Sequence, residues 1–431
     1  MKGKLPLVIG LGTTGSSLIN YLSNFHEEIF LIEDTEANIN LDKINQKNLN
    51  INVNPLLSND LFLKISKIYP SPGVSLNHEI FELAKRNQVP ISSDIQEFLE
   101  KHKSIKILVT GTNGKTSTCL YIKHLMEFLF PKLKINALGN IGEPVLDFIN
   151  EEIDVSIIEI SSFQLELLNE IEFEIGLLLN IEQDHLDRHD TFENYKEIKE
   201  KVLKNSTFNI SFNKNNYFDK NFKNYNQLKL PKNFIESSVF SNWPLHDIQN
   251  LKASIEVLKV FIANFKSVDL NDDDFYLKIQ KSFKNFTKLP HRFEFINSFK
   301  GINFINDSKA TNLDAMIKAV NSVHHQRKDH SIHLICGGDL KGQDILNTDL
   351  SDLKNVKNIC IYGKDKEIIF DSIHEYSNCC IEKDLDTAFK NTLSKAKIGD
   401  YVLLSPACSS LDMFRDYQER GNRFKSLIQG L

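Results

Sequence analysis

The chain has no uninterrupted apolar run near the ~18 residues that a membrane-crossing helix needs. Its apolar opening stretch runs straight into a glycine turn at Gly10, without the h-region and cleavage site of a secretory leader. A cytoplasmic protein with no membrane span is expected. Neither sign of charge dominates: 51 Lys and Arg stand against 57 Asp and Glu, and the lysines are interspersed with acids. The formal net charge is −6 and no basic stripe is present, which argues against a nucleic-acid partner. The six cysteines, Cys119, Cys336, Cys360, Cys379, Cys380 and Cys408, show no CxxC spacing. A structural zinc or a disulfide framework is thereby disfavoured, and they read as buried or incidental thiols. No repeat of solenoid period occurs. What remains is an apolar-rich chain of 431 residues, the length of about three domains.

The most informative stretch is Val109-Thr110-Gly111-Thr112-Asn113-Gly114-Lys115-Thr116, which joins an apolar strand over 105–109 to a helix over 115–129. Glycines let successive N–H groups converge on phosphate oxygens, and the helix N-terminus adds positive potential. The lysine reaches the outer phosphates and the threonine hydroxyl can hold Mg²⁺. Val109 stands where the common eight-residue phosphate loop has its first glycine, so the motif is GxxGKT. A nucleoside triphosphate is the expected ligand.

Three α/β units follow from the alternation of apolar strands and helical segments. The first has a strand over 5–9, the turn Gly10-Leu11-Gly12-Thr13-Thr14-Gly15, a helix over 16–25 and a strand over 29–32. This is Rossmann-like, and by itself the GxGxxG turn suits any diphosphate, a dinucleotide included. Ser71-Pro72-Gly73 marks a loop beyond another strand. The segment 93–104 reads as a link. The second unit adds strands over 155–160 and 175–179 as near-continuous apolar runs, typical of a parallel sheet covered on both faces. Residues 204–243 turn to Asn, Lys and Phe with little periodicity, and fit either strands of a side layer or a surface excursion. The third unit has strands over 302–305, 332–336, 359–362 and 401–404, with helices over 313–320 and 385–393. The expected architecture is three α/β domains with largely parallel sheets: Rossmann-like 1–93, central P-loop-type 94–288, and Rossmann-like 289–431.

Polar clusters fall at the carboxyl ends of these strands, where such sheets place chemistry. Glu159 closes a strand of the phosphate-loop unit and can complete a Mg²⁺ shell begun by Thr116. The serines after it, Ser161 and Ser162, also suit a helix cap. The run 180–189, with Glu182, Asp184, His185, Asp187, Arg188 and His189, is either a solvated turn or a second charge-handling site. In the third unit the loops 306–312, 336–342 and 405–412 should meet in a pocket for an anionic substrate.

Taken together these residues resemble the Mur ligase superfamily, and within it the branch that adds D-glutamate. The resemblance spans the chain: GLGTTG at Gly10, SPG at Ser71, GTNGKT at Gly111, GNIG at Gly139, EISSFQLE at Glu159, DHLDRH at Asp184, LPHRFE at Leu289, NDSKATN at Asn306, GGDLKG at Gly337 and SPACSSLDMF at Ser405. It implies an ATP-driven, Mg²⁺-dependent amide ligase. A carboxylate of UDP-MurNAc-L-Ala would be phosphorylated by ATP, and the amine of D-glutamate would then attack the acyl phosphate. By position, Gly111, Thr112, Asn113, Gly114, Lys115, Thr116, Asn250, Arg292, Asp307 and Lys309 are implied to hold ATP. Thr13, Thr14, Asp34, Thr35, Ser71, Pro72 and Gly73 would grip the UDP end, with Asn140, Ser161 and Gln164 along the sugar and alanyl arm. Thr311, Lys341, Ser410, Leu411 and Tyr417 would frame D-glutamate. Thr116 and Glu159 are implied for one Mg²⁺, and His185 with a carbamylated Lys199 for a second; Lys115, Glu159, His185 and Lys199 carry the catalysis. Lys199 follows Tyr195 by four residues, as in the family motif, although a solvated helix face is also open to it. Relatives often show a His-Asn pair where this chain has His246-Asp247 ahead of Asn250. Glu36 stands where a basic residue can occur, and reads as facing solvent. A monomer is expected, with a hinge near 287–289.

Other readings stay open at this point. A sister ligase or a folylpolyglutamate synthase shares the chemistry, although the DNPR-type signature and the GTNGKG form are absent. A nicotinamide-binding oxidoreductase built on Gly10 to Gly15 leaves the phosphate loop unexplained, and a nucleotide-binding regulator leaves Glu159, His185 and Lys341 so.

Overall fold

The computed structural model describes residues 3–34, 41, 44, 49–211, 222–224, 227–241, 243–266, 272–326 and 330–431. Its first sheet contains β1 (Leu5–Ile9), β2 (Glu28–Ile32), β3 (Asn50–Val53) and β4 (Ile65–Pro70) in the order β3-β2-β1-β4. The second contains β5 (Ile105–Thr110), β6 (Ile135–Gly139), β7 (Val155–Glu159), β8 (Phe173–Leu178), β9 (Ser206–Ser211) and β10 (Phe222–Asn224), in the order β10-β9-β8-β5-β7-β6. The third contains β11 (Glu294–Phe299), β12 (Ile302–Asn306), β13 (Ile332–Gly337), β14 (Val356–Tyr362), β15 (Asn378–Ile381) and β16 (Tyr401–Leu404), in the order β11-β12-β16-β13-β14-β15. Pairing is parallel throughout except for the β11–β12 edge. Inner strands such as β7 and β13 are buried along their whole length, as their unbroken apolar sequences require.

The strand orders decide where polar loops gather. β5 lies between β7 and β8, so the loops after these three strands converge at a point where the chain reverses direction across the sheet. β16 lies between β12 and β13, which brings together the three polar loops of the third unit.

The segment 93–104 is more than a link. Ser93 caps a helix, Asp94–Lys101, by accepting from the Gln96 N–H, and Ile95, Phe98 and Leu99 repeat at helical spacing along its buried face. They enter one hydrophobic cluster with Val8 and Leu18 of the first unit and Leu108 and Ile158 of the second. The first two units therefore share a core, whereas the clusters on both faces of the third sheet contain, among the described residues, only side chains of that unit. The first helix begins at Thr13 rather than 16, with Gly12 at its N-cap, because the glycine turn hands the chain directly into it.

Residues 212–221, 225–226 and 242 of the aromatic-rich segment lie outside the described residues, and the remainder is no surface excursion. β9 and β10 extend the main sheet, and the short helix Lys232–Ile235 turns Phe234 into the core. Phe234 lies 4.7 Å from Phe240, Phe240 5.0 Å from Trp243, and Trp243 5.3 Å from Tyr121, centroid to centroid. The helix Leu245–Phe265 adds to the elements expected from the sequence, although Ile248, Leu251, Ile255 and Leu258 recur at its period. Phe234→Ala should lower stability by about 3–5 kcal/mol, the usual cost of emptying a buried aromatic site. The urea unfolding midpoint of the purified chain checks this; an unchanged midpoint would mean the aromatic layer is not part of the core.

Candidate active site

The loop after β5 is shaped by contacts that exclude side chains. Gly111 and Gly114 have φ of 155° and 86°. A Cβ on Gly111 would lie 2.8 Å from the Leu179 Cβ, and one on Gly114 2.4 Å from the Asn250 Oδ1. Asn180 braces the loop from the end of the neighbouring strand: its Nδ2 donates to the Asn113 carbonyl at 3.0 Å and its Oδ1 accepts from the Asn113 N–H at 2.9 Å. The Thr112 and Tyr195 hydroxyls bond each other at 3.0 Å beneath it. The helix Lys115–Leu129 has Gly114 at its N-cap and no side chain capping it, so its leading N–H groups and its dipole are available to an anion.

Cations converge on this loop. Lys115 Nζ donates to the Gly111 and Thr112 carbonyls at 2.8 and 2.9 Å. Lys199, only 1% exposed, donates to the same Gly111 carbonyl at 3.0 Å. Burial, with Lys115 adding repulsion, holds the Lys199 amine well below the usual lysine range. Arg292, from the far side of the cleft, donates to the Thr116 hydroxyl at 2.8 Å. Burial and the nearby Arg292 and Lys115 push Lys309 down to about 8. Such a set of poorly solvated cations lowers its free energy by taking up polyphosphate.

Acids complete the site. Glu159 ends β7 with its Oε1 accepting from Asn140 Nδ2 at 3.0 Å, while its buried Oε2 has no hydrogen-bond partner. His185 takes a left-handed backbone, φ 53°, packs edge-on to Phe163 at 5.0 Å, and holds Nε2 3.8 Å from Asp184 Oδ2. No group of three or more His, Cys, Asp or Glu able to hold a metal occurs among the described residues. A Mg²⁺ here would complete its oxygen shell from phosphate, the Thr116 hydroxyl and water, and the orphaned Glu159 oxygen suits one of its positions.

A cavity of about 540 Å³ brings these residues together with Asn140, Ser161 and Pro72 on one side and Thr311, Lys341 and Tyr417 on the other. A smaller pocket of about 100 Å³ adjoins it, lined by Asn250, Arg292, Asp307, Lys309, His246 and Asp247 among others. Asp247, standing where relatives often have Asn, is charge-compensated by Lys288 Nζ at 2.5 Å. Lys288 in turn lies 4.2 Å over the Trp243 ring. Amides of the second and third units interlock: Asn312 Nδ2 donates to Asn113 Oδ1 at 3.1 Å, and Asn113 Nδ2 to Asp314 Oδ2 at 2.8 Å. The sequence motifs assign no individual role to Asn312 or Asn180, whereas Asp184 belongs to the charged run 180–189. A polar residue directly after a buried strand is the available signal for Asn180.

Several expected residues lie outside that cavity. Ser410 is buried with its carbonyl accepting from the Met413 and Phe414 N–H groups, and Leu411 is 70% exposed. Gln164 is taken up by a capping box with Ser161, the cap its sequence context also allowed. Thr13, Thr14, Asp34, Ser71 and Gly73 follow β1, β2 and β4 at the carboxyl edge of the first sheet, and Pro72, between the last two, lines the central cavity. Thr35 and Glu36 lie outside the described residues.

Three family models match successive parts of the chain: the Mur ligase MurD-like N-terminal domain over 4–93, the Mur ligase middle domain over 109–239, and the Mur ligase glutamate ligase domain over 291–408. A UDP-N-acetylmuramoylalanine–D-glutamate ligase of Francisella philomiragia is 33% identical over 99% of this chain and 96% of that protein. A protein of the same name from Thermoanaerobacter is 32% identical over 100% and 99%. Among solved structures, MurF ligase of Thermotoga maritima in complex with ADP superposes with a TM-score of 0.53 at 15% identity, covering 100% of this chain and 96% of that one. UDP-N-acetylmuramate-alanine ligase MurC of the same organism gives 0.53 and 15%, with 99% of both chains covered.

Asp307 yields a pH test. Burial raises its carboxyl from the ordinary 3.8 to about 7, against the Phe293 N–H and the Ser405 hydroxyl, which favour the charged form. From 3.8 to about 7 the unfolded chain has released this proton while the folded one retains it, so this group's contribution to stability falls as pH rises through that window. Asp307→Asn should flatten that fall in urea titrations; parallel pH profiles for the two proteins would contradict it.

Proposed function

This chain belongs to the Mur ligase family, and from that premise we propose how its cleft works. It is an ATP-dependent ligase that adds D-glutamate to UDP-N-acetylmuramoyl-L-alanine in peptidoglycan precursor synthesis. One observation supports the mechanism most directly: the phosphate loop with Lys115 shares a single cavity with Thr311, Lys341 and Tyr417 of the glutamate-ligase unit. In our reading the triphosphate lies along the loop of Gly111, Gly114, Lys115 and Thr116. Its nucleoside enters the smaller pocket with Asn250, Arg292 and Asp307, and Lys309 lies between the two cavities. The UDP end would run over the loops after β1, β2 and β4, leaving the alanyl carboxylate beside Asn140 and Ser161. The D-glutamate carboxylates fall to Lys341 and Thr311; Ser410 and Leu411 would need their loop to turn toward the cavity.

Phosphoryl transfer needs alignment and charge neutralisation more than covalent help. The alanyl carboxylate oxygen attacks the γ-phosphorus and ADP departs; the D-glutamate amine then attacks the acyl carbon and phosphate leaves. Lys115 and Arg292 meet the negative charge on the transferring group. Mg²⁺, when bound beside Glu159 and Thr116, supplies further neutralisation of the phosphates. His185 positions the acceptor side of the cavity. Since the third unit meets the others here through amides and ions rather than a shared core, the connection through Leu289 is the hinge we assign. Closure there would keep water from the acyl phosphate. A cytoplasmic, monomeric enzyme fits this role.

Lys199 enters as a carbamate. Burial shifts its amine toward the neutral form that adds to CO₂, and the resulting anion would turn its repulsion with Lys115 into attraction while supplying oxygens for a second Mg²⁺. Lys199→Ala should be inactive and regain part of its rate with acetate or formate; full activity without them would remove the role.

Phosphate release from ATP with UDP-MurNAc-L-Ala should occur with D-glutamate and stay at background with L-glutamate, L-lysine or diaminopimelate. Release with one of the others instead would point to a sister ligase. Lys115→Ala should cut kcat by at least about 10²–10³-fold with the fold intact, the scale for one preorganised donor to developing charge.

A further inference from the structure

Cys360 and Cys380 are direct partners on the adjacent parallel strands β14 and β15, so their side chains share one face of the sheet. Their sulfurs are 2.9 Å apart, inside the van der Waals separation of two thiols. Neighbouring strands run about 4.7–4.9 Å apart, within the ~4.4–6.8 Å Cα separation that a disulfide bridges. The two thiols differ in environment. Cys360 is fully buried, whereas Cys380 is half-buried on the edge strand. The helix Leu385–Lys395 points two donors at the Cys380 sulfur, Asn391 Nδ2 at 3.6 Å and Lys395 Nζ at 3.9 Å. The half-buried edge position leaves Cys380 the sulfur that an oxidant reaches first, and access is a requirement of an oxidisable cysteine. Burial pushes the Cys360 thiol up to about 12, which leaves it the second partner rather than the first to react. Cys379 points to the opposite face, its sulfur toward the Ile373 carbonyl, and provides an internal control.

We propose that Cys380 and Cys360 form a redox-active pair that a hydroperoxide converts to a cross-strand disulfide. The Cys380 thiolate attacks the peroxide O–O bond, forming an S–O bond and releasing water or an alcohol once the leaving oxygen is protonated. The Cys360 sulfur then attacks the sulfenic sulfur. The S–O bond breaks, and hydroxide leaves as water with the Cys360 proton. Overall the two thiols lose two hydrogens and the peroxide is reduced. Such a bond is not a folding framework; it is a reversible modification, undone by small thiols. It uses no residue of the ligase cleft and stands apart from the reading of that site.

The full-length protein, reduced and freed of reductant, is treated with hydrogen peroxide, alkylated under unfolding conditions, and analysed by intact mass and peptide mapping. The expected result is loss of two hydrogens, a Cys360–Cys380 linked peptide, and alkylation of the other four cysteines, reversed by dithiothreitol. Cys379→Ser should behave like the parent. Cys380→Ser should lose the linkage, and Cys360→Ser should accumulate a sulfenic acid at Cys380 that dimedone traps. All six thiols still alkylated, Cys379 found in the bridge, a link between two chains, or Cys380 sulfinic acid beside a free Cys360 would each overturn the proposal.

Discussion

Two lysine amines on one carbonyl set the terms for this molecule. Lys115 and Lys199 both donate to the Gly111 oxygen, and neither has a carboxylate within salt-bridge distance among the described residues. Charging both amines in a poorly solvated place is costly, and that cost is what holds the Lys199 amine well below the ordinary lysine range. The surroundings answer it only in part. Glu159 and Asp184 act on Lys115 from a distance, while Arg292 works against them. An anion along the loop, such as the polyphosphate that an ATP-dependent ligase takes up, would offset the charge that remains on Lys115.

The scaffold that tolerates this imbalance is rigid where the charge is held and divided where the substrates enter. The shared core of the first two units, with Ile95 and Phe98 driven into it, gives the phosphate loop a fixed base. Leu179, Asn180 and Asn250 then press on the two glycines from outside the loop. The third unit is joined through Asn113, Asn312, Asp314 and Arg292 instead. Hydrogen bonds and charges of this kind exchange readily with water, so this boundary rests less on burial than the shared core of the first two units does.

The Asp247 position shows how a departure from a family pattern is absorbed. An acid next to a nucleotide pocket would repel phosphate if left alone. Here Lys288, over the Trp243 ring, and the Tyr121 hydroxyl hold it ionised and neutralised as a pair. That solution needs residues distant in sequence, which is why His246-Asp247 stands out in the linear pattern only as an anomaly.

Much of the architecture is legible in the amino-acid sequence alone. The strands and the helix Lys115–Leu129 follow from apolar runs and the glycine loop, because burial on both faces and a phosphate-binding turn leave few other residue choices. Lys115, Glu159, His185, Lys199, Thr311, Lys341 and Tyr417 can be nominated from strand ends and motif order, and they do line one cavity. Tertiary structure alone decided three things. The helix Asp94–Lys101 became part of a core because it meets two sheets at once. Phe234, Phe240 and Trp243 became an aromatic layer because Tyr121 lies beneath them. Lys199 became a buried, depressed amine rather than a solvated lysine because its helix packs under the phosphate loop. Local pattern reports which faces seek burial, but electrostatics and packing depend on partners that lie far away along the chain.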